Sequence, residues 1–229
     1  MKVSVLIPVY NEKKTILDLL DLVKLVSMDK EIVVVDDCSK DGTRELLKKH
    51  FGAEAGDIRI FYHEVNKGKG SAIRTALKHA AGEYVIVQDA DMEYSPHDML
   101  KLVEAAEKGN AAVFGSRFLK TWKSTSLPHY MVNFFLTGLT NLLFGARLTD
   151  METCYKMVRT DIMRSLDIKA DKFEFEPEVT AKLLQNGIKI KEVPISYRGR
   201  SYDEGKKITW RDGVDTVMIL FKLKFFRTI

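Results

Sequence analysis

The chain has 229 residues, 45% hydrophobic and 30% charged, with 5 Pro and 14 Gly. Those proportions exclude a disordered chain, a collagen-like repeat and a low-complexity tail, and at about 150 residues per domain the length asks for one large domain, or one with an appendage. Its net charge of +4 falls wholly in residues 198–229, where eight Lys and Arg face four Asp and Glu, which points to an anionic partner at that end.

The start, MKVSVLIPVYNE, holds a short apolar run and reads as a strand rather than a leader. Val3–Pro8 is that strand, followed by a helix over Glu12–Val26 with Ile16, Leu19, Leu20 and Val23 at helical spacing. A strand at Glu31–Asp36, a helix at Asp41–Phe51, a strand at Ile58–Tyr62 and a helix at Lys69–Ala81 continue the alternation. A strand at Glu83–Gln88, a helix at Pro96–Lys108 and a strand at Ala111–Gly115 complete it. Near-continuous Val/Ile strands between helices predict an α/β fold: a mostly parallel sheet covered on both faces, with ligands at the carboxyl ends of its strands.

After Ser116 the rhythm breaks. Arg117–Pro128 reads as a polar loop, Val132–Gly145 as an apolar helix, and Cys154–Val158 as a short strand. Pro177–Gln185 reads as a helix and Ile188–Tyr197 as a half-exposed strand. A Gly- and charge-rich loop over Arg198–Thr209 then leads to a final helix from Trp210. Residues 1–197 form the main domain; 198–229 form a basic loop and amphipathic helix facing a membrane or a second copy. No apolar run reaches 18 residues, so no simple helix spans a bilayer. Cys38 and Cys154 are too few for a disulfide scaffold or a four-thiolate zinc site. They read as reduced packing residues of an intracellular protein, with one bridge between them left open.

Chemistry concentrates at the strand ends. Asp89, Asp91 and Glu93 follow one strand as alternating carboxylates that suit a hard divalent cation, Mg²⁺ or Mn²⁺. Asp36 and Asp37 end a second strand; two acidic ends on one edge repel unless a cation or a ligand's donors fill the gap. Asn66–Ala72 (NKGKGSA) opens a helix with glycines and lysines that favour phosphate. Neither a Walker A loop nor a G-x-G-x-x-G fingerprint is present.

Taken in order, Ile7-Pro8-Val9-Tyr10-Asn11-Glu12, the Asp36–Thr43 run, Asn66-x-Gly68-Lys69-Gly70 and Asp89-x-Asp91 resemble the motifs of family 2 glycosyltransferases with the GT-A fold. Phe114–Arg117, Thr149–Lys156 and Phe173–Glu176 resemble the polyprenyl-phosphate branch, similar to dolichol-phosphate mannose synthases. The resemblance implies that Pro8, Tyr10, Glu12 and Asp37 hold the base and ribose of a nucleotide sugar, with Lys69, Asp89 and Ala90 alongside. It implies that Asp89, Asp91 and Glu93 hold the metal, and that Asp91 and Arg117 are catalytic. Arg117, Arg198, Arg200 and Lys206 would hold the phosphate of a polyprenyl acceptor, since guanidinium groups pair bidentately with phosphate. A sugar-hydroxyl acceptor would instead need a base, for which Asp150 and Glu152 are the candidates; a non-catalytic nucleotide-binding subunit is a third reading. The implied location is peripheral, at the cytoplasmic membrane face. Its partners there are the membrane surface and a homodimer mate or membrane subunit, with no nucleic acid.

Overall fold

The computed structural model describes residues 1–51, 54–119, 127–200 and 210–226. Its strands are β1 (Val3–Val9), β2 (Lys30–Asp36), β3 (Glu54–Ala55), β4 (Ile58–Tyr62), β5 (Tyr84–Val87), β6 (Ala112–Ser116), β7 (Lys156–Arg159) and β8 (Ile190–Pro194). They form one sheet in the order β3-β4-β2-β1-β5-β7-β6-β8. The helices are α1 (Ile16–Leu25), α2 (Thr43–Phe51), α3 (Lys69–His79), α4 (Met99–Glu107), α5 (Leu127–Phe144), α6 (Thr160–Ser165), α7 (Phe175–Gln185) and α8 (Trp210–Phe225). β4, β2, β1 and β5 are mutually parallel, and β6 and β8 run the same way beyond an antiparallel β7.

The centre of the sheet is buried on both faces because the middle positions of β1, β2 and β5 are apolar on both sides. Val3, Val5, Ile7 and Val9 join Ile32 and Val34 in a layer under α1 and α4; Leu6, Val33 and Val35 join Val85, Val87 and Phe114 in a layer under α3 and α7. At roughly 1.5–3 kcal/mol per buried Val, Leu, Ile or Phe, these two layers carry the fold. A third cluster of Leu136, Met151, Ala181, Leu220 and Leu223 ties α5, α7 and α8 together.

The βα alternation through Ser116 matches the pattern, with α1 starting later than expected because residues 12–15 form a turn closed by Thr15 N–H to Glu12 O (3.1 Å). Departures follow Ser116. The strand expected at Cys154–Val158 is present as β7 but inserts antiparallel between β5 and β6. Pro128 lies in the first turn of α5 rather than closing a loop, a position that needs no amide donor. β3 and α6 are unanticipated; two and six residues are too short to show a period.

The final helix is not a free appendage. α8 packs on α5 and α7, burying Leu220 and Leu223, while Lys222 and Lys224 stay exposed. No helix among the described residues is long and apolar enough to cross a membrane. Cys38 and Cys154 are both free thiols.

Candidate active site

Six parallel strands deliver their carboxyl ends to one edge, where the chain turns sharply. Asn11 (φ 53°) follows β1, Cys38 (62°) follows β2 and Met92 (64°) follows β5. Non-glycine residues in this left-handed region cost of order 1–3 kcal/mol and gather at functional sites. The first two turns brace each other: Asn11 N–H donates to Ser39 Oγ (2.9 Å), and Lys40 N–H donates to Asn11 Oδ1 (2.8 Å). A cavity of about 710 Å³ opens on this edge. Pro8, Tyr10, Glu12, Asp37, Lys69, Asp89, Ala90, Asp91, Glu93, Arg117, Glu152 and Arg200 all line it. Arg198 does not line it; its side chain is exposed. Lys206 lies outside the described residues.

Asp37 builds the glycine turn. Its carboxylate accepts from the backbone N–H of Lys67 (2.9 Å) and Gly68 (2.7 Å) and meets His63 Nδ1 at 2.7 Å. Ser71 N–H is taken by Asp171 O (3.1 Å). Three of the amides expected to cradle phosphate are thus engaged within the protein, and the turn also contributes the Lys69 side chain. The glycines serve close packing. Gly68 has φ +96°, and a Cβ on Gly68 or Gly70 would overlap the backbone of residues 170–171.

Lys69 is buried between three groups, with Nζ 2.9 Å from Asp89, 2.7 Å from Glu176 and 3.3 Å from Cys154 Sγ. Burial opposes its charge, but Asp89, Cys154 and Glu176 together hold its pKa well above the usual lysine range. Burial first, then the charges of Asp89 and Glu93, push Asp91 up to about 7. This excess of oxygen donors fits a hard dication. The expected trio does not form a cage, however, and among the described residues no three His, Cys, Asp or Glu converge as one. Glu93 is engaged elsewhere, accepting from Tyr197 Oη (2.7 Å) and the Arg200 backbone N–H (2.8 Å). Asp91 and Asp89 remain, a number that suits Mg²⁺ or Mn²⁺ sharing its other positions with water and substrate phosphate.

Arg200 lies across the same carboxylates. Its guanidinium is 3.1 Å from Glu12, 3.4 Å from Asp91 and 3.9 Å from Glu93. Glu12 thus anchors an arginine. Arg117, expected to present a free cation, is buried and doubly paired to Asp150: Nε donates to Oδ2 (2.7 Å) and Nη2 to Oδ1 (2.7 Å). Nη2 also donates to Asn133 Oδ1 (3.1 Å). Asp150 is fully buried, and its acceptor capacity is committed to Arg117. Lys156 Nζ donates to Met151 O and Thr153 O (2.6 Å each), clamping the turn that carries Glu152. Burial and then Glu176 push Glu152 up to about 7, while burial lowers Lys156 to about 8.

Glu176 and Cys154 fell inside segments singled out by resemblance, but no role attached to them. Phe173, in the same segment as Glu176, lines the cavity too; His129, Asn133 and Lys172 also line it and carry no sequence signal, since α5 and the segment before α7 reach the site only through tertiary packing.

The glycosyl transferase family 2 model matches residues 4–167, most of the chain. The chain belongs to glycosyl transferase family 2. This family 2 chain is 30% identical over 222 residues to a dolichol-phosphate mannosyltransferase of Pyrococcus furiosus, an overlap covering 91% of this chain but only 61% of that relative's length. It is 28% identical over 214 residues to an undecaprenyl-phosphate mannosyltransferase of Micrococcus luteus, covering 90% and 87% of the two chains. Glucosyl-3-phosphoglycerate synthase from Mycobacterium tuberculosis, crystallised with Mn²⁺, UDP and glucosyl-3-phosphoglycerate, superposes with a TM-score of 0.71. The match covers 97% of this chain and 79% of that one; at 20% identity it establishes the GT-A fold alone.

Proposed function

We propose that this chain transfers a hexose from a nucleotide sugar to a polyprenyl phosphate, with inversion and with Mg²⁺ or Mn²⁺. The observation that carries the reading is the shared cavity. Its polar end holds Pro8, Tyr10, Asp37, Lys69, Asp89 and Asp91, and its other walls come from Val132 and Leu136 of α5 and Thr216 of α8. A charged donor and an apolar-tailed acceptor then meet in one chamber. The names of the Pyrococcus and Micrococcus relatives support the choice of acceptor.

Pro8, Tyr10, Glu12 and Asp37 flank the base and ribose, while Lys69, beside Asp89, sets positive charge against the diphosphate. Asp89 and Asp91 would hold the cation, which when bound supplies Lewis-acid stabilisation to the departing diphosphate. A phosphate monoester, with its second pKa about 6, arrives largely dianionic and attacks the anomeric carbon without a base. The bond to the donor diphosphate breaks as the new bond forms, inverting the centre. Asp150, already committed to Arg117, supports this over a sugar-hydroxyl acceptor that needs a base there. Arg200 is a cation offered to the acceptor phosphate, as Lys206 is on the sequence reading, and Arg117, paired with Asp150, fixes one wall of the cavity.

Phe134, Phe135, Leu142, Met218, Phe221, Phe225 and Phe226 leave an exposed apolar face on α5 and α8, next to exposed Lys222 and Lys224. That pairing suits peripheral binding to an anionic membrane face, here the cytoplasmic one. The test is a panel of UDP- and GDP-sugars with polyprenyl phosphate and Mg²⁺ or Mn²⁺, products resolved by mass. Glycosylated lipid is expected, and Asp91→Ala abolishes it. Product only on saccharide or protein refutes the lipid acceptor.

A further inference from the structure

The order of the sheet orders the cavity. Reading across the carboxyl edge, Asp37 follows β2, Tyr10 follows β1, Asp89 follows β5, Glu152 and Cys154 precede the reversed β7, and Arg117 follows β6. If base and ribose sit at β2 and β1 and the diphosphate at β5, the next position belongs to whatever the diphosphate carries. The wall there carries Glu152, Cys154 and Glu176. Glu176 is paired with Lys69, and Asp150, behind the same turn, with Arg117. Such a wall offers acceptors to hydroxyl groups rather than free cations to phosphate.

Glu152 is the member that forms no ion pair among the described residues. Glu176 is held by Lys69 (2.7 Å) and Asp150 by Arg117 (2.7 Å). Glu152 Oε1 is closed to solvent and, among the described residues, accepts no hydrogen bond. Its backbone is fixed: Lys156 clamps the carbonyls on either side, at Met151 and Thr153, and Glu192 receives the N–H of Thr149 and Asp150 at 2.9–3.0 Å. A buried polar atom without a partner on a clamped turn is costly unless a ligand completes it.

We propose that the Glu152 carboxyl reads the ring hydroxyls of the donor sugar, acting as a specificity residue and not as a general base. The inference rests on the donor being a nucleotide sugar, as proposed above. It explains why the same turn carries no free cation, and it assigns Glu176 and Lys69 as the pair that holds the neighbouring wall.

The experiment is calorimetric titration of the full chain with Mn²⁺ and, in turn, UDP, UDP-glucose, GDP and GDP-mannose, using wild type, Glu152→Ala and Glu152→Gln. Circular dichroism melts check that each variant folds. Glu152→Ala should weaken the preferred nucleotide sugar about ten-fold, the worth of one buried hydrogen bond, and leave the matching nucleoside diphosphate within about two-fold. Glu152→Gln keeps the shape and one acceptor, and should restore sugar binding and most turnover. Equal weakening of both ligands by Glu152→Ala, or of neither, overturns the proposal. So does loss of turnover in Glu152→Gln with binding intact, which would make the residue a base. Failure of wild type to bind any nucleoside diphosphate would instead remove the donor reading, and this inference with it.

Discussion

Asp150→Asn tests how much of the site is held by one buried ion pair. Asp150 is fully buried and Arg117 nearly so, and the carboxylate receives Arg117 backbone N–H at 3.0 Å, Nε at 2.7 Å and Nη2 at 2.7 Å. An amide has the same shape but no charge, and one of its ends now donates toward the guanidinium. Arg117 would then be a buried cation whose remaining contacts include one amide oxygen, Asn133 and the rings of Tyr197 and Phe118, with no ion-pair partner among the described residues. Removing one partner of a buried pair costs about 3–5 kcal/mol. At roughly 2–4 °C per kcal/mol for a chain of this size, the melting temperature should fall by about 6–20 °C. Urea unfolding followed by circular dichroism, without ligand, measures this directly. The companion double variant, Arg117→Met with Asp150→Leu, should recover most of the loss, because the pair's mutual attraction is largely offset by its desolvation. A single variant within about 1 kcal/mol of wild type, at unchanged urea slope, would mean the pair is solvated and the wall beside Glu152 is not fixed by it.

Three further outcomes are expected. Gly70→Ala in α3 should destabilise by about 1–3 kcal/mol, reversing the usual gain of Ala over Gly in a helix, because the new Cβ meets the Ala170 carbonyl; a rise in urea midpoint would contradict the close packing. Glu152 keeps its proton in the folded chain up to about 7 but releases it near 4.5 when unfolded, so wild-type stability should decline relative to Glu152→Gln as pH rises from about 4.5 through about 7. Parallel stability curves over that window would remove the burial argument. Phe134→Asp with Phe221→Asp should abolish flotation with anionic vesicles, and raised salt should weaken wild-type binding through Lys222 and Lys224, at about 1 kcal/mol each. Unchanged flotation, or salt-independent dimerisation through this face, would refute the membrane reading.

The first half of the molecule was legible because period and position coincide there. Val/Ile runs too apolar to alternate mark strands covered on both faces, and polar residues directly after them mark the ligand edge. Asp37, Asp89 and Asp91 were found this way. Their partners were not, because pairing is tertiary: nothing in the sequence says that Asp37 spends itself on the amides of Lys67 and Gly68, or that Arg117 belongs to Asp150, 33 residues away. The basic tail was read as one charged unit, yet Arg200 turns inward to Glu12, 188 residues distant, while Lys222 and Lys224 face outward. The direction of β7 was hidden for another reason: four residues set between two strands carry no mark of which way they run.

That reversal has its own consequence. Because β7 opposes its neighbours, the chain reaches the ligand edge as it enters the strand and departs toward the far rim, where Thr160 Oγ1 donates to Gly82 O (2.6 Å) and Arg164 donates to Ala80 O (2.6 Å). Recognition is written upstream of this short rod and anchorage downstream, so Glu152 can be re-lettered to suit another substrate while the bolts at Thr160 and Arg164 stay untouched.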